Sequence, residues 1–327
     1  MASQAHQASE YSQKFGIVDF GSGTLRIVVY GANDKGELTK LFTDKANCAL
    51  GESVAKNGRL SKASQTYAID SIKRFQSAAA AHGVDTLHAF GTSALRRAKN
   101  QKAFLEAVRD QTGVDVDVIS GKEEAKLQAI GSSLGGQNSK GRISADLGRS
   151  SLDIARVKNV SFMPKSVLLG CAIVASKGDG ARKYIKRKIK ELPHYPKGRK
   201  MHLVGGSWRR MAKAYLIEQG VEKPRDILHG FDVDAKEFMT FLDTLGEMPA
   251  DMLRDTYEIE ESRIKHIPAA VETLRQLSDH LKTSEFVFSM FGVREGYLLS
   301  KVINTRAADI TIVPEPPPAN NLELAAQ

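Results

Sequence analysis

An α/β protein made of two similar halves facing each other across a cleft is the architecture this sequence predicts. Three observations carry that reading. The stretch DFGSGTLRI at 19–27 recurs in the same frame as DLGRSSLDI at 146–154, setting Asp19 over Asp146, Gly21 over Gly148, Thr24 over Ser151, Leu25 over Leu152 and Ile27 over Ile154. Each copy reads as a β-hairpin with Asp-x-Gly at its bend, followed by alternating helix-like and strand-like periods. The chain has 327 residues, 42% of them hydrophobic, enough for two ordinary domains with real cores.

The elements follow in order. Phe15–Asp19 is a short apolar run, then come a turn of small residues and LRIVVY at 25–30, which together read strand, tight turn, strand. A turn at Asn33–Gly36 leads to a third strand, ELTKLF. A helix is expected from a Ser61 cap to a Gly83 stop, with Ala68, Ile69, Ile72 and Phe75 inward. TLHAFG is a strand, TSALRRAKNQKAFLEAVRDQTG one or two helices ending at Gly113, and VDVDVIS an alternating strand. GKEEAKLQAIGSSLG is a helix, and with GRISADLG the pattern restarts. A hairpin at 143–157, a strand near FMPKSVLLG, a helix at 172–190 and the strand HLVGGS follow. The final block is the helix PAAVETLRQLSDHL, the strand EFVFSM, a glycine turn and the helix GYLLSKVINTR. The expected division is a flexible tail at 1–14, domains at 15–136 and 137–312, and a Pro-rich disordered tail at 313–327.

The N-terminus lacks the apolar segment of a secretory signal, and no stretch is long and apolar enough to span a membrane. Cys48 and Cys171 have no metal or redox spacing. A cytoplasmic protein with reduced thiols is expected. The formal charge of +9 favours polyanionic partners. Ten cations lie between Lys177 and Lys200 against only Asp179 and Glu191. That run is either a solvated helix and loop or a patch that holds a long anion. Nucleic acid is disfavoured, because only Tyr184 and Tyr195 interleave with the charges and no nucleic-acid motif is present.

The chemistry concentrates at the two bends. A tight turn of small residues points successive backbone N–H groups into one concavity, an anion nest. Hydroxyls of Ser22, Thr24, Ser150 and Ser151 add donors, and Asp19 and Asp146 beside the nests suit a hard cation such as Mg2+. Two copies in register point to a site gripping phosphates from both sides. Ser120-Gly-Lys-Glu123 matches a capping box at a helix start, which leaves Glu124 free at a strand–helix junction, where α/β sites form. A carboxylate there either complements the helix dipole or orients and deprotonates a water. Arg96 follows another strand end and either forks onto phosphate or lies on a surface helix. LVGGSWRR at 203–210 is either a third phosphate turn or tight packing around Trp208. Arg294-Glu295, just after a strand, is either an internal salt bridge or part of the site. No zinc spacing, nucleophile elbow or Walker lysine is present.

DFGSGTLRI, GTSALRRAKN, VISGKEEAKL, DLGRSSLDI, VGGSWRRMAKAYL and GVREGYLL, in that order, resemble the blocks of the exopolyphosphatase/guanosine-pentaphosphate phosphatase family, over about residues 15–305. The resemblance implies a short form with two ribonuclease-H-like domains, in the actin-like ATPase superfamily. It implies Mg2+-dependent release of a terminal phosphate from inorganic polyphosphate, or from guanosine pentaphosphate. Glu124 takes the position of the family's catalytic glutamate and would activate water. Gly21, Ser22, Gly23, Thr24, Gly148, Arg149, Ser150 and Ser151, with Arg96, would bind phosphates. Asp146, with Asp19 and Asp153, would hold the metal. A homodimer is expected.

The departures lie in the loops. The family's second loop usually reads Asp-Ile-Gly-Gly-Gly-Ser-Thr-Glu. Here two glycines are lost to Arg149 and Ser150, and the acidic end is shortened to Asp153. The first loop usually reads Gly-Ser-Asn-Ser where this chain has Gly21-Ser22-Gly23-Thr24, and an arginine that often follows the third strand is Ala49. Arg149 either adds a phosphate contact or points to solvent. The rival readings are a guanosine-pentaphosphate phosphatase, a catalytically weak regulatory protein that binds polyphosphate or guanosine tetraphosphate, and a small-molecule kinase of the same superfamily.

Overall fold

The computed structural model describes residues 11–136, 142–158 and 161–313. Residues 1–10 of the expected N-terminal tail, 314–327 of the expected C-terminal tail, and 137–141 at the expected domain junction lie outside the described residues.

Elements before the second hairpin are β1 (Gln13–Phe20), β2 (Leu25–Ala32), β3 (Glu37–Ala46), α1 (Leu50–Asn57), α2 (Lys62–Ala81), β4 (Leu87–Gly91), α3 (Ser93–Arg97), α4 (Gln101–Thr112), β5 (Val116–Val118) and α5 (Gly121–Gly131). The second series runs β6 (Ile143–Leu147), β7 (Leu152–Lys158), β8 (Ser161–Val167), α6 (Cys171–Ala175), α7 (Ala181–Ile189), β9 (Met201–Val204) and α8 (Gly206–Glu218). It continues with α9 (Pro224–Ile227), β10 (Asp232–Asp234), α10 (Ala235–Glu247), α11 (Ala250–Asp255), α12 (Glu261–Ile264), α13 (Ile267–Leu281), β11 (Glu285–Phe288), α14 (Val293–Tyr297) and β12 (Thr311–Val313).

The repeat seen in the hairpins extends to the whole sheets. One sheet has the order β12-β3-β2-β1-β4-β5 and the other β10-β11-β9-β6-β7-β8. Stripped of the extra edge strands β12 and β10, both read third, second, first, fourth, fifth strand. In each, the hairpin is antiparallel and the fourth strand pairs parallel with the first.

Strand alternation sorts the side chains of the first sheet onto two faces. Val18, Phe20, Leu25, Ile27 and Val29 join Ile72, Phe75 and Phe104 of α2 and α4 on one side. Ile17, Val28, Tyr30 and Phe90 face Leu127 of α5 and Tyr297 of α14 on the other. A larger core under the second sheet gathers Trp208, Phe238, Leu274 and Phe288.

Two segments leave the half in which they begin. Helix α5 follows the last strand of the first sheet but packs on β6, β7 and β8 of the second. Residues beyond β11 return to the first sheet, where β12 pairs parallel with β3. Where α5 and α14 cross, a Cβ on Gly131 would strike the Gly292 carbonyl and one on Gly296 the Leu127 carbonyl, so backbones touch directly.

Three expectations are corrected. The single helix expected at 172–190 is two, because the glycine pair 178/180 makes a 3-10 turn between α6 and α7, with Gly178 at φ 48. Of VDVDVIS only Val116–Val118 is strand, since β5 is an edge strand whose partner β4 ends at Gly91. α14 is helical only to Tyr297, continuing as a π turn over Leu298–Val302.

Candidate active site

The two loops are built alike. Gly21 N–H donates to the Thr24 carbonyl at 3.1 Å and Gly148 N–H to the Ser151 carbonyl at 2.9 Å. The central carbonyls are tied back by a helix start. Ala49 and Gly51 N–H groups hold the Gly23 and Ser22 carbonyls, and Gly170 and Ala172 hold those of Ser150 and Arg149. In a trans peptide the N–H points opposite to the carbonyl. The N–H groups of Gly23, Thr24, Ser150 and Ser151 are therefore turned away from α1 and α6 as anion donors. The sequence repeat thus includes Ala49–Gly51 against Gly170–Ala172, which no similarity of side chains announced.

The loops touch. A Cβ on Gly51, at the start of α1, would lie 3.3 Å from the Ser150 hydroxyl. Arg149 crosses from the second loop to the first. Its Nη2 donates to Glu52 Oε1 at 2.7 Å, and its Nη1 sits 2.6 Å from where a Gly23 Cβ would be. Its side chain is 19% exposed, so the solvent-facing alternative is overturned.

The carboxylates follow from strand register. Asp146 pairs with Asp153 across β6 and β7, whereas the matching pair across β1 and β2 is Asp19 with Arg26. Directly opposed residues share one face. The first half thus sets a carboxylate beside a cation and the second sets two carboxylates together. Burial pushes Asp146 up to about 6, with Asp153 adding to the rise and Arg209 and Arg294 opposing it. Burial likewise raises Asp153 to about 6, against hydrogen bonds from Ser166 and Ser151. Asp19 is also raised to about 6 by burial, while Arg294 and Arg26 pull it down.

Glu124 stands in the first turn of α5. Ser120 Oγ caps the helix by accepting from Glu123 N–H at 3.2 Å. The Glu123 carboxylate does not complete the expected capping box, since it reaches Lys301 Nζ at 2.6 Å. Glu124 Oε2 accepts from Arg96 Nη1 at 2.7 Å, and the same nitrogen donates to the Ile119 carbonyl at 2.9 Å. Burial and then Asp153 raise the Glu124 carboxyl well above its ordinary range, with Arg96 opposing. One turn along, Gln128 pins α5 to the second sheet. Its Nε2 donates to the Ser144 and Asp153 carbonyls at 3.1 and 3.3 Å, and its Oε1 accepts from Ser144 Oγ at 2.8 Å. Residues four apart share a helix face, so this anchor aims Glu124 at Asp153.

From sequence alone Arg26 and Arg209 carry no role, and an internal salt bridge is one of two alternatives for Arg294-Glu295. Arg294 Nε instead lies 4.0 Å from Asp19 Oδ2, while Glu295 accepts from Tyr30 Oη at 2.5 Å and Gly292 N–H at 2.7 Å. Arg209 is held by the Met290 carbonyl at 2.7 Å. The signal for Arg26 was present, since it is the counterpart of Asp153 in the repeat. Gly205, at φ 97, is where the backbone must pass Asp146; a Cβ would lie 2.6 Å from Asp146 Oδ1. Trp208 packs beneath and donates to the Ala270 carbonyl at 3.2 Å.

Among the described residues no three His, Cys, Asp or Glu side chains converge as a ready metal cage. The donors do fit a hard cation held by one or two carboxylates and otherwise by water and phosphate oxygens. Asp146 and Asp153 are opposed and mutually repelling, and Asp153 Oδ1 is buried with no hydrogen-bond partner among the described residues.

A family model described as the Ppx/GppA phosphatase family matches residues 28–305. Exopolyphosphatase 1 of Mycobacterium tuberculosis is 32% identical over 143 residues, covering 43% of this chain and 42% of that protein. A guanosine-5'-triphosphate,3'-diphosphate pyrophosphatase of Aliivibrio fischeri is 25% identical over 150 residues, 45% of this chain and 30% of that protein. The aligned stretch thus spans less than half the length of these curated relatives. The crystal structure of a Ppx/GppA protein from Aquifex aeolicus superposes with a TM-score of 0.75 at 20% identity, over 89% of this chain and 98% of that one. With the duplicated strand order, that likeness bears out the expected fold of two ribonuclease-H-like domains.

Proposed function

The chain belongs to the Ppx/GppA phosphatase family, and from that premise we propose that it hydrolyses the terminal phosphate of inorganic polyphosphate with the help of Mg2+. The observation that carries the mechanism is Glu124, buried and held at 2.7 Å by Arg96 beside the opposed pair Asp146 and Asp153. The outward N–H groups of the two loops, with the hydroxyls of Ser22, Thr24 and Ser150, bind and orient the phosphate oxygens, while the Ser151 hydroxyl is spent on Asp153 at 2.9 Å. Glu124, which holds a proton more readily than an ordinary carboxylate, takes one from a water aligned with the scissile bond. Arg96 fixes the carboxylate and offers its remaining donors to the phosphate. Asp146 and Asp153, with Asp19 nearby, would hold the cation, whose chemistry is to neutralise charge on the phosphate oxygens. Preorganised charge of this kind supplies most of the rate enhancement in phosphoryl transfer.

The test is phosphate release from long polyphosphate, with and without Mg2+, by the wild type and by Glu124→Gln. Full activity in the variant would sink the mechanism. The likeness to the Aliivibrio protein favours a second reading, guanosine pentaphosphate as substrate, which the same assay separates.

A further inference from the structure

The basic run at 177–200 has no part in the cleft chemistry. In α7, Ile185 and Ile189 are buried in the second core, while Lys183, Lys186 and Arg187, with Lys190 at the C-cap, stand exposed. Like charges three and four residues apart oppose helix formation. Acidic relief is sparse: Glu191 takes Lys188 at 2.8 Å, and Glu272 takes Arg182 at 3.4 Å. Lys183, Lys186, Arg187 and Lys190 have no ion pair among the described residues.

Tyr184 organises the patch. Its hydroxyl donates to the Leu168 carbonyl at 2.6 Å, and its ring collects Lys177, Arg187 and Lys188 at 5.1, 5.3 and 6.0 Å. Leu168 belongs to the segment leading to Gly170, whose N–H holds the Ser150 carbonyl of the second loop. The patch is thus rooted in the strip of backbone that supports a phosphate loop.

We infer that the exposed face of α7 is a docking surface for the distal part of a linear polyphosphate whose end is in the cleft. This rests on the polyphosphate reading above. The face offers charge without stacking, because Tyr184 is covered by cations and Tyr195 is buried. Single-stranded nucleic acid needs open aromatic platforms as well as charge, and a polymer of bare phosphates does not.

The experiment compares wild type with the triple variant Lys183→Gln, Lys186→Gln, Lys190→Gln in the full chain. Phosphate release is measured from long polyphosphate and from tripolyphosphate, and the triple Lys→Arg variant controls for charge. The KM for the long chain should rise roughly tenfold, with a shallower dependence on salt. The kcat, tripolyphosphate hydrolysis and the Lys→Arg variant should stay at wild-type values. An unchanged long-chain KM in a variant that melts like wild type would overturn the inference. A second measurement, binding of long polyphosphate by Glu124→Gln with and without the triple change, needs no turnover. If wild type hydrolyses no polyphosphate, the proposed function falls and this binding comparison still decides the surface. Single-stranded RNA competing as well as polyphosphate of equal charge would overturn polyphosphate as the occupant.

Discussion

Arg149 of the second loop lies across Gly23 of the first and closes a 2.7 Å ion pair with Glu52 at the start of α1. Two of the departures in the paired loops, Arg149 and Gly23, are one arrangement, since the long side chain in one copy occupies the space that glycine leaves in the other.

That complementarity is testable by a double-mutant cycle. Gly23→Ala puts a methyl group 2.6 Å from Arg149 Nη1 and should lower stability by about 1–2 kcal/mol. In an Arg149→Gly background the same change should cost little. Equal costs in both backgrounds, measured by denaturant unfolding, would refute the arrangement.

Glu124→Gln should lower the kcat for polyphosphate at least ~100-fold while substrate binding persists. Gln128→Leu acts one step removed. It strips partners from Ser144 and from the Asp153 carbonyl, so it should cost about 1–3 kcal/mol in stability and lower kcat more than it changes KM. A stability loss with unchanged kcat would show that Gln128 holds the helix without aiming Glu124.

Asp19, Asp146 and Asp153 each titrate near 6 in the fold, against 3.8 ordinarily. The folded protein therefore holds protons that the unfolded chain has released. The associated stability is complete below pH 3.8, declines as pH rises through about 6 and is absent above it. In chelator at pH 7, Asp146→Asn should raise the melting temperature by a few degrees, and in Mg2+ it should abolish phosphate release. The gain should shrink at pH 5. A lower melting temperature at pH 7 would contradict the charge repulsion described.

Gly296→Ala drives a methyl group into the Leu127 carbonyl of α5, where both sides of the contact are backbone. A loss of about 3 kcal/mol or more is expected, read as a lowered urea midpoint or loss of soluble protein. Wild-type stability would mean that the two helices do not meet as described.

The hairpin repeat and Glu124 were legible because both depend on local pattern: small residues at a bend, and a capping serine that leaves one glutamate unassigned. Arg26 was legible only through the repeat, which sets it at the position of Asp153, and the partner of Arg149 was not legible, because it is set by the approach of the two halves. The break between α6 and α7 was written in Gly178 and Gly180 but masked by the strong helical period on either side. The return of β12 to β3 joins residues over 270 positions apart, which no local period can signal.

The crossing of α5 and α14 makes the two halves mutually dependent. The first sheet without Tyr297 and Leu298 would present Ile17, Val28 and Phe90 to water, and the second without α5 would lack its cover and Gln128. Neither half is a portable module, and cutting the chain at the sequence repeat would yield two incomplete cores.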